Sequence, residues 1–224
     1  MPDNQPNITV REIRGKKKVG FRGMEYIDKP ESEMRELVEE LGDAIIAFHD
    51  AEETYSGPDK FWHFGRIVDE HSDGGQNEDL RELLKYSTLD VSQSYDLKLY
   101  HNFYQMFPDG GYDSEYPWAL YREMAVSKRM KKSKTIFKRL KKGLGDGNIP
   151  RTYEYRAYLK CDSYDLPSVI VALYNLGSSH TSGLNVAKAT QGAKRILIMA
   201  GEDPSVASVE QVSDIIERKD LSED

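Results

Sequence analysis

Nine basic residues lie between Lys128 and Lys142 with no acid among them: Lys128, Arg129, Lys131, Lys132, Lys134, Lys138, Arg139, Lys141 and Lys142. Ammonium and guanidinium groups at this density are chemistry for phosphate, one a compact charge and the other a forked donor. The chain as a whole has 31 basic and 38 acidic residues, a formal charge of −7, and without these nine it would stand at −16. Positive charge collected into one segment draws polyanions whatever the net charge. Met130, Phe137, Leu140 and Leu144, with Val126 and Ser133, recur at helical spacing in Ser127–Leu144, which predicts one amphipathic helix. An ordinary surface helix interleaves acids to form i,i+4 pairs. Their absence favours phosphate as the partner over simple solvation.

Other chemistries find little support. His49, His63, His71, His101 and His180 form no H-E-x-x-H, and none pairs with Cys161, the single cysteine, at a metal-ligand spacing. His180 in its Ser/Thr-rich loop lacks a nucleophile elbow or an oxyanion signature. Gly143-Leu-Gly-Asp-Gly147 has neither the Lys-Ser/Thr of a phosphate-binding loop nor a preceding strand, and reads as a turn. The expectation is a non-enzymatic protein with no metal and no cofactor.

The elements that must position these residues follow from periodicity and breakers. Residues 1–27 predict a polar tail and a β-hairpin broken at Gly15–Lys18, with Lys16, Lys17 and Lys18 at its tip, either entering a DNA groove or merely solvated. Met34, Leu37, Leu41, Ile45 and Phe48 mark a long acidic helix over 30–55, and a second helix covers Lys60–His71. Glu78–Leu89 and Ser94–Phe107 read as two helices separated by Asp90–Gln93, the arrangement of a helix-turn-helix unit or of an ordinary helical hairpin. In the first case Gln93, Lys98, Asn102 and Gln105 face outward as base-reading polar groups. Trp118 opens a further helix, and Gly145-Asp-Gly-Asn148 is the candidate boundary to a C-terminal helical part over 151–220. That part carries Leu166–Leu176, Leu184–Ala200 with Gly201 as its C-cap, and a last helix announced by Ser208-Val-Glu-Gln211.

Between about Ile45 and Glu123 four phrases resemble the N-terminal domain of the YhcG family of PD-(D/E)xK nucleases. They are Trp62-His-Phe-Gly65-Arg66-Ile67-Val68, Leu80-Arg-Glu-Leu83-Leu84, Phe103-Tyr104-Gln-Met-Phe107-Pro108 and Trp118-Ala-Leu-Tyr121-Arg122-Glu123. The resemblance implies a helical or winged-helix DNA-binding module. The family's nuclease part has a carboxylate-and-lysine metal site. The Glu-x-Lys spacing that does occur after residue 145, Glu217-Arg-Lys219, falls at the end of the last expected helix, and Glu154-Tyr-Arg156 has Arg where Lys is needed, so the nuclease activity is not carried over.

The expected fold is mainly α, with a possible N-terminal hairpin in 1–27, a helical DNA-binding domain over 28–144 and a helical association domain over 151–220. The expected function is double-stranded DNA binding, regulatory or architectural, with homo-oligomerisation through the C-terminal part. The alternative is a subunit of a DNA-processing or defence complex whose basic helix docks on an acidic surface, the chain's own helix 31–53 included. One cysteine, no apolar run of about 20 residues and no signal pattern in MPDNQPNITV suit a cytoplasmic location.

Overall fold

A computed structural model describes residues 8–21, 31–71, 78–87, 89, 94–126, 128–144, 149–177 and 185–220. It is mainly helical with one small antiparallel hairpin, as the sequence predicts. No described helix is long and apolar enough to cross a membrane. The chain divides into two compact units, 1–128 and 129–224. The basic helix therefore belongs with the C-terminal part, which corrects the expected boundary at 145–148; that boundary itself lies outside the described residues. Charge divides at the same place. The first unit holds 15 basic and 26 acidic residues, −11 net, and the second 16 and 12, +4 net.

In the first unit, β1 (Ile8–Ile13) and β2 (Lys16–Phe21) pair through a two-residue turn, with Arg14 at φ 55° and Gly15 at φ 74°. Both angles are left-handed, the geometry that matches the twist of the flanking strands. Lys16, Lys17 and Lys18 thus form the first half of β2 instead of the tip. The Ile8 amide donates to the Tyr86 carbonyl at 2.8 Å and ties the hairpin to the chain after α3 (Glu78–Lys85). Helix α1 (Glu31–Thr54) buries Met34, Leu37, Leu41, Ala44, Ile45, Phe48 and Ala51, a stripe at three- and four-residue spacing. Leu80, Leu83 and Leu84 of α3 join that core.

Helix α2 (Gly57–His71) starts earlier than expected, because Pro58 in a first turn removes only an amide that has no helical partner. It packs on α4 (Ser94–Met106) so closely that a Cβ on Gly65 would stand 2.1 Å from the Tyr100 carbonyl oxygen. Helix α5 (Trp118–Met124) closes the aromatic core: Phe61 stacks on Trp118 with centroids 4.3 Å apart, and Phe103 meets Tyr121 at 4.7 Å. The Trp62 indole donates to the Phe107 carbonyl at 2.7 Å. Three of the four resemblance phrases, those around Trp62, Phe103 and Trp118, thus meet in this aromatic cluster.

In the second unit, α6 (Met130–Leu144), α7 (Thr152–Lys160) and α8 (Leu166–Gly177) pack around α9 (Val186–Ala200), which α10 (Val209–Asp220) follows. Glu154 is 1% exposed; one carboxylate oxygen accepts the Arg151 amide and the other the Arg195 guanidinium, both at 2.8 Å. Burial pushes this carboxyl up from its ordinary value, against the pull of Arg195. Gly201 ends α9 at φ 86°.

Candidate nucleic-acid interface

Helix α6 is held by one face. Ser133, Ile136, Phe137 and Leu140 are buried, the Ser133 hydroxyl hydrogen-bonds the Tyr155 hydroxyl at 2.8 Å, and a Cβ on Gly143 would meet Ile198 of α9 at 2.8 Å. Phe137 and Leu140 are buried as the spacing predicts, while Met130 and Leu144 are only half-buried and Ile136 was missing from the expected stripe. At 100° per residue the buried arc leaves Lys131, Lys138 and Lys142 within about 30° of the opposite direction, with Lys134 beside them. All four are exposed. Among the described residues none of them has an ion-pair partner. At 1.5 Å per residue they extend over about 16 Å of helix, a length that covers about five phosphates of one DNA strand.

This arrangement works against the helix that carries it. Lys134, Lys138 and Lys142 follow one another at i,i+4, and each like-charge pair of this kind costs about 0.2–0.5 kcal/mol. No acid sits in the first turn to meet the helix dipole. Packing on α9 offsets the repulsion, so the charges are present at a cost to stability.

The other basic residues divide by role. Lys132 lies 4.8 Å over the Tyr158 ring and Lys141 5.4 Å over Phe137, with the ammonium seated on an aromatic face. Lys128 is exposed and Arg129 partly so, just before the helix. Arg139 is diverted from the expected phosphate contact. Its Nη1 donates to the carbonyls of Met199 and Ala200 at 2.9 and 2.8 Å, capping the C-terminus of α9. Gly201 accommodates it, since a Cβ there would lie 2.9 Å from the guanidinium carbon.

The expected base-reading set is not assembled. Asn102 is 8% exposed, and its amide donates to the Ala125 carbonyl at 2.7 Å, so it faces the core and not solvent. Its place between Leu99 and Met106, both buried, marks a second apolar stripe on α4. Gln105 is exposed but donates to Asp69 at 2.6 Å, and Asp69 also meets His101 at 2.9 Å. Lys98 is exposed, and Gln93 lies outside the described residues. Helix α3 packs on α1 while α4 packs on α2 and α5, so the principal partner of each helix lies outside the predicted pair.

On the hairpin, Lys16 and Lys18 are exposed, whereas Lys17 turns inward to Asp50 and Glu53 of α1 at 2.5 and 2.8 Å. Those two hydrogen bonds push the Lys17 ammonium up to about 12. His49, Asp50 and Glu53 stand close enough to hold a cation, and the cation that meets the two carboxylates is this ammonium. No family model, curated protein or solved structure matches this chain.

Proposed function

We propose that the protein binds duplex DNA without catalysis, through the phosphate backbone, with Lys131, Lys134, Lys138 and Lys142 as the contact ridge. The observation that supports this is a row of four exposed lysines on a helix without acids, with no ion-pair partner among the described residues, kept despite mutual repulsion. The ridge offers no Asn, Gln or unengaged Arg for bidentate contact with a base edge, so this reading assigns it affinity and little sequence preference. The resemblance to a DNA-binding module belongs to the same proposal, with α2 to α5 as a scaffold and not as a reading head.

Four phosphate contacts correspond to a slope of about −3.6 in log affinity against log salt, a fall of about 150-fold between 50 and 200 mM. Fluorescence anisotropy of a labelled duplex should show a slope at least this steep, and replacing the four lysines by Gln should flatten it by about 3 to 4 units. An unchanged slope would refute the ridge. The same lack of base-reading groups also suits an acidic protein surface. Binding to such a surface with no duplex response at low salt would favour that second reading.

A further inference from the structure

The hairpin carries a second set of cations that the ridge does not explain. Strand alternation and register place Ile8, Val10, Glu12, Lys17 and Val19 on the face toward α1. The opposite face receives Thr9, Arg11, Ile13, Lys16, Lys18 and Gly20. Arg11, Lys16 and Lys18 are exposed there, as is Arg14 in the turn, and none of the four has an ion-pair partner among the described residues. Arg11 stands directly across from Lys18, a like-charge pair that destabilises a ribbon left alone in water.

Two further features point the same way. Arg14 occupies a left-handed position at φ 55°, where Asn or Gly would be the unstrained choice. Strain of this kind gathers where a side chain is needed. Ile13, 49% exposed, gives the same face an apolar side chain at its tip. Meanwhile Lys17, on the inner face, engages the α1 carboxylates beneath the ribbon.

We infer that the outward face of the β1–β2 hairpin is a second duplex-binding surface, with Arg11, Arg14, Lys16 and Lys18 contacting phosphates. A two-stranded ribbon is of a width that the major groove admits, and cations on both strands then reach both walls of the groove. The inference rests on the chain being a duplex binder but not on the ridge. It makes Arg11 and Arg14 binding residues and takes Lys17 out of the contact.

The test is duplex anisotropy against salt on the full chain. It compares wild type, a hairpin variant (Arg11→Gln, Arg14→Asn, Lys16→Gln, Lys18→Gln), the ridge variant (Lys131→Gln, Lys134→Gln, Lys138→Gln, Lys142→Gln) and Lys17→Gln. The hairpin variant should flatten the salt slope by about 3 to 4 units, at about 0.9 per phosphate contact, while Lys17→Gln leaves it in place. A hairpin variant with the wild-type slope overturns the inference. A ridge variant with the wild-type slope, beside a flattened hairpin variant, overturns the ridge and leaves the hairpin standing. Should the hairpin variant lose its fold by circular dichroism, photo-crosslinking of wild type to a bromodeoxyuridine duplex decides instead. Adducts within residues 8–21 support the inference and their absence overturns it.

Discussion

Arg139 and Lys138 are neighbours in the sequence with the same charge, and the structure places them differently: Lys138 is exposed on the ridge and Arg139 lies at the end of α9. Arg139 donates two hydrogen bonds to the last carbonyls of α9, from an exposed position. A charged hydrogen bond contributes about 1.5–3 kcal/mol when well buried, and a cation at a helix C-terminus about 0.3–1 kcal/mol. Solvent screening cuts both, so Arg139→Ala should cost about 1–2 kcal/mol. Arg139→Lys should recover only part of this, because one ammonium cannot reproduce the planar fork. Lys138→Ala removes repulsion from Lys134 and Lys142 and should leave stability level or raise it by about 0.5 kcal/mol. In duplex binding the order reverses: Lys138→Ala flattens the salt slope by about 0.9 while Arg139→Ala leaves it nearly unchanged. Stability must be read by far-UV circular dichroism in urea, because both tryptophans, Trp62 and Trp118, lie in the first unit and do not report on the second. An Arg139→Ala protein that keeps wild-type stability and loses duplex affinity as a ridge lysine does would refute this division of roles.

Two further perturbations address the scaffold. Gly65→Ala puts a methyl into the Tyr100 carbonyl and should destabilise the first unit by about 3 kcal/mol, at the upper end for overpacking; tryptophan fluorescence in urea follows it, and an unchanged midpoint would contradict the close crossing of α2 and α4. Arg195→Met leaves Glu154 buried without its guanidinium and should cost about 3 kcal/mol at neutral pH. The carboxyl is already raised by burial, so its charged form is the one penalised. The difference between variant and wild type should therefore shrink as the pH falls through the raised pKa and widen as it rises. A pH-independent difference would mean that the carboxyl is not the group affected.

The helices are legible because each buries a stripe with a clear period, and Leu166–Leu176, expected within the helical C-terminal part, is helix α8. What periodicity cannot supply is which surface the stripe faces. Helix α6 carries an apolar face that would suit either neighbour, and only its fit to α9 and Tyr155, through Gly143 and Ser133, assigns it to the second unit. Asn102 was misplaced for a related reason. The spacing of Leu97, Tyr100, Tyr104 and Phe107 marks one apolar stripe and puts Asn102 outside it, but Leu99, Phe103 and Met106 form another that turns Asn102 inward toward α5. Arg139 did leave a trace in the sequence. A run that uses lysine for seven of its nine charges and arginine for two invites the question of what the guanidinium fork is needed for. Of the two further hairpin arginines, Arg11 follows from strand alternation and Arg14 from the turn itself, once the turn is set at Arg14-Gly15 rather than among the lysines.

The two basic surfaces share one physical form, which is the strongest reason to regard them as working parts. In each, some cations are tied down: Lys17 on Asp50 and Glu53, Arg139 on the end of α9. Their neighbours are left facing one another without acids: Arg11 across from Lys18, and Lys134 below Lys138 and Lys142. A sequence with 38 acids had ample means to neutralise them. Ordinary surfaces mix signs, and here the mixing stops at the faces that a polyanion would occupy. Bound phosphate would turn the intramolecular repulsion into attraction. Inorganic polyphosphate or duplex should therefore raise the melting temperature of wild type more than that of either neutralised variant, by linkage to the folded state. Equal stabilisation of all three proteins would show that the exposed charges are not where the anion binds.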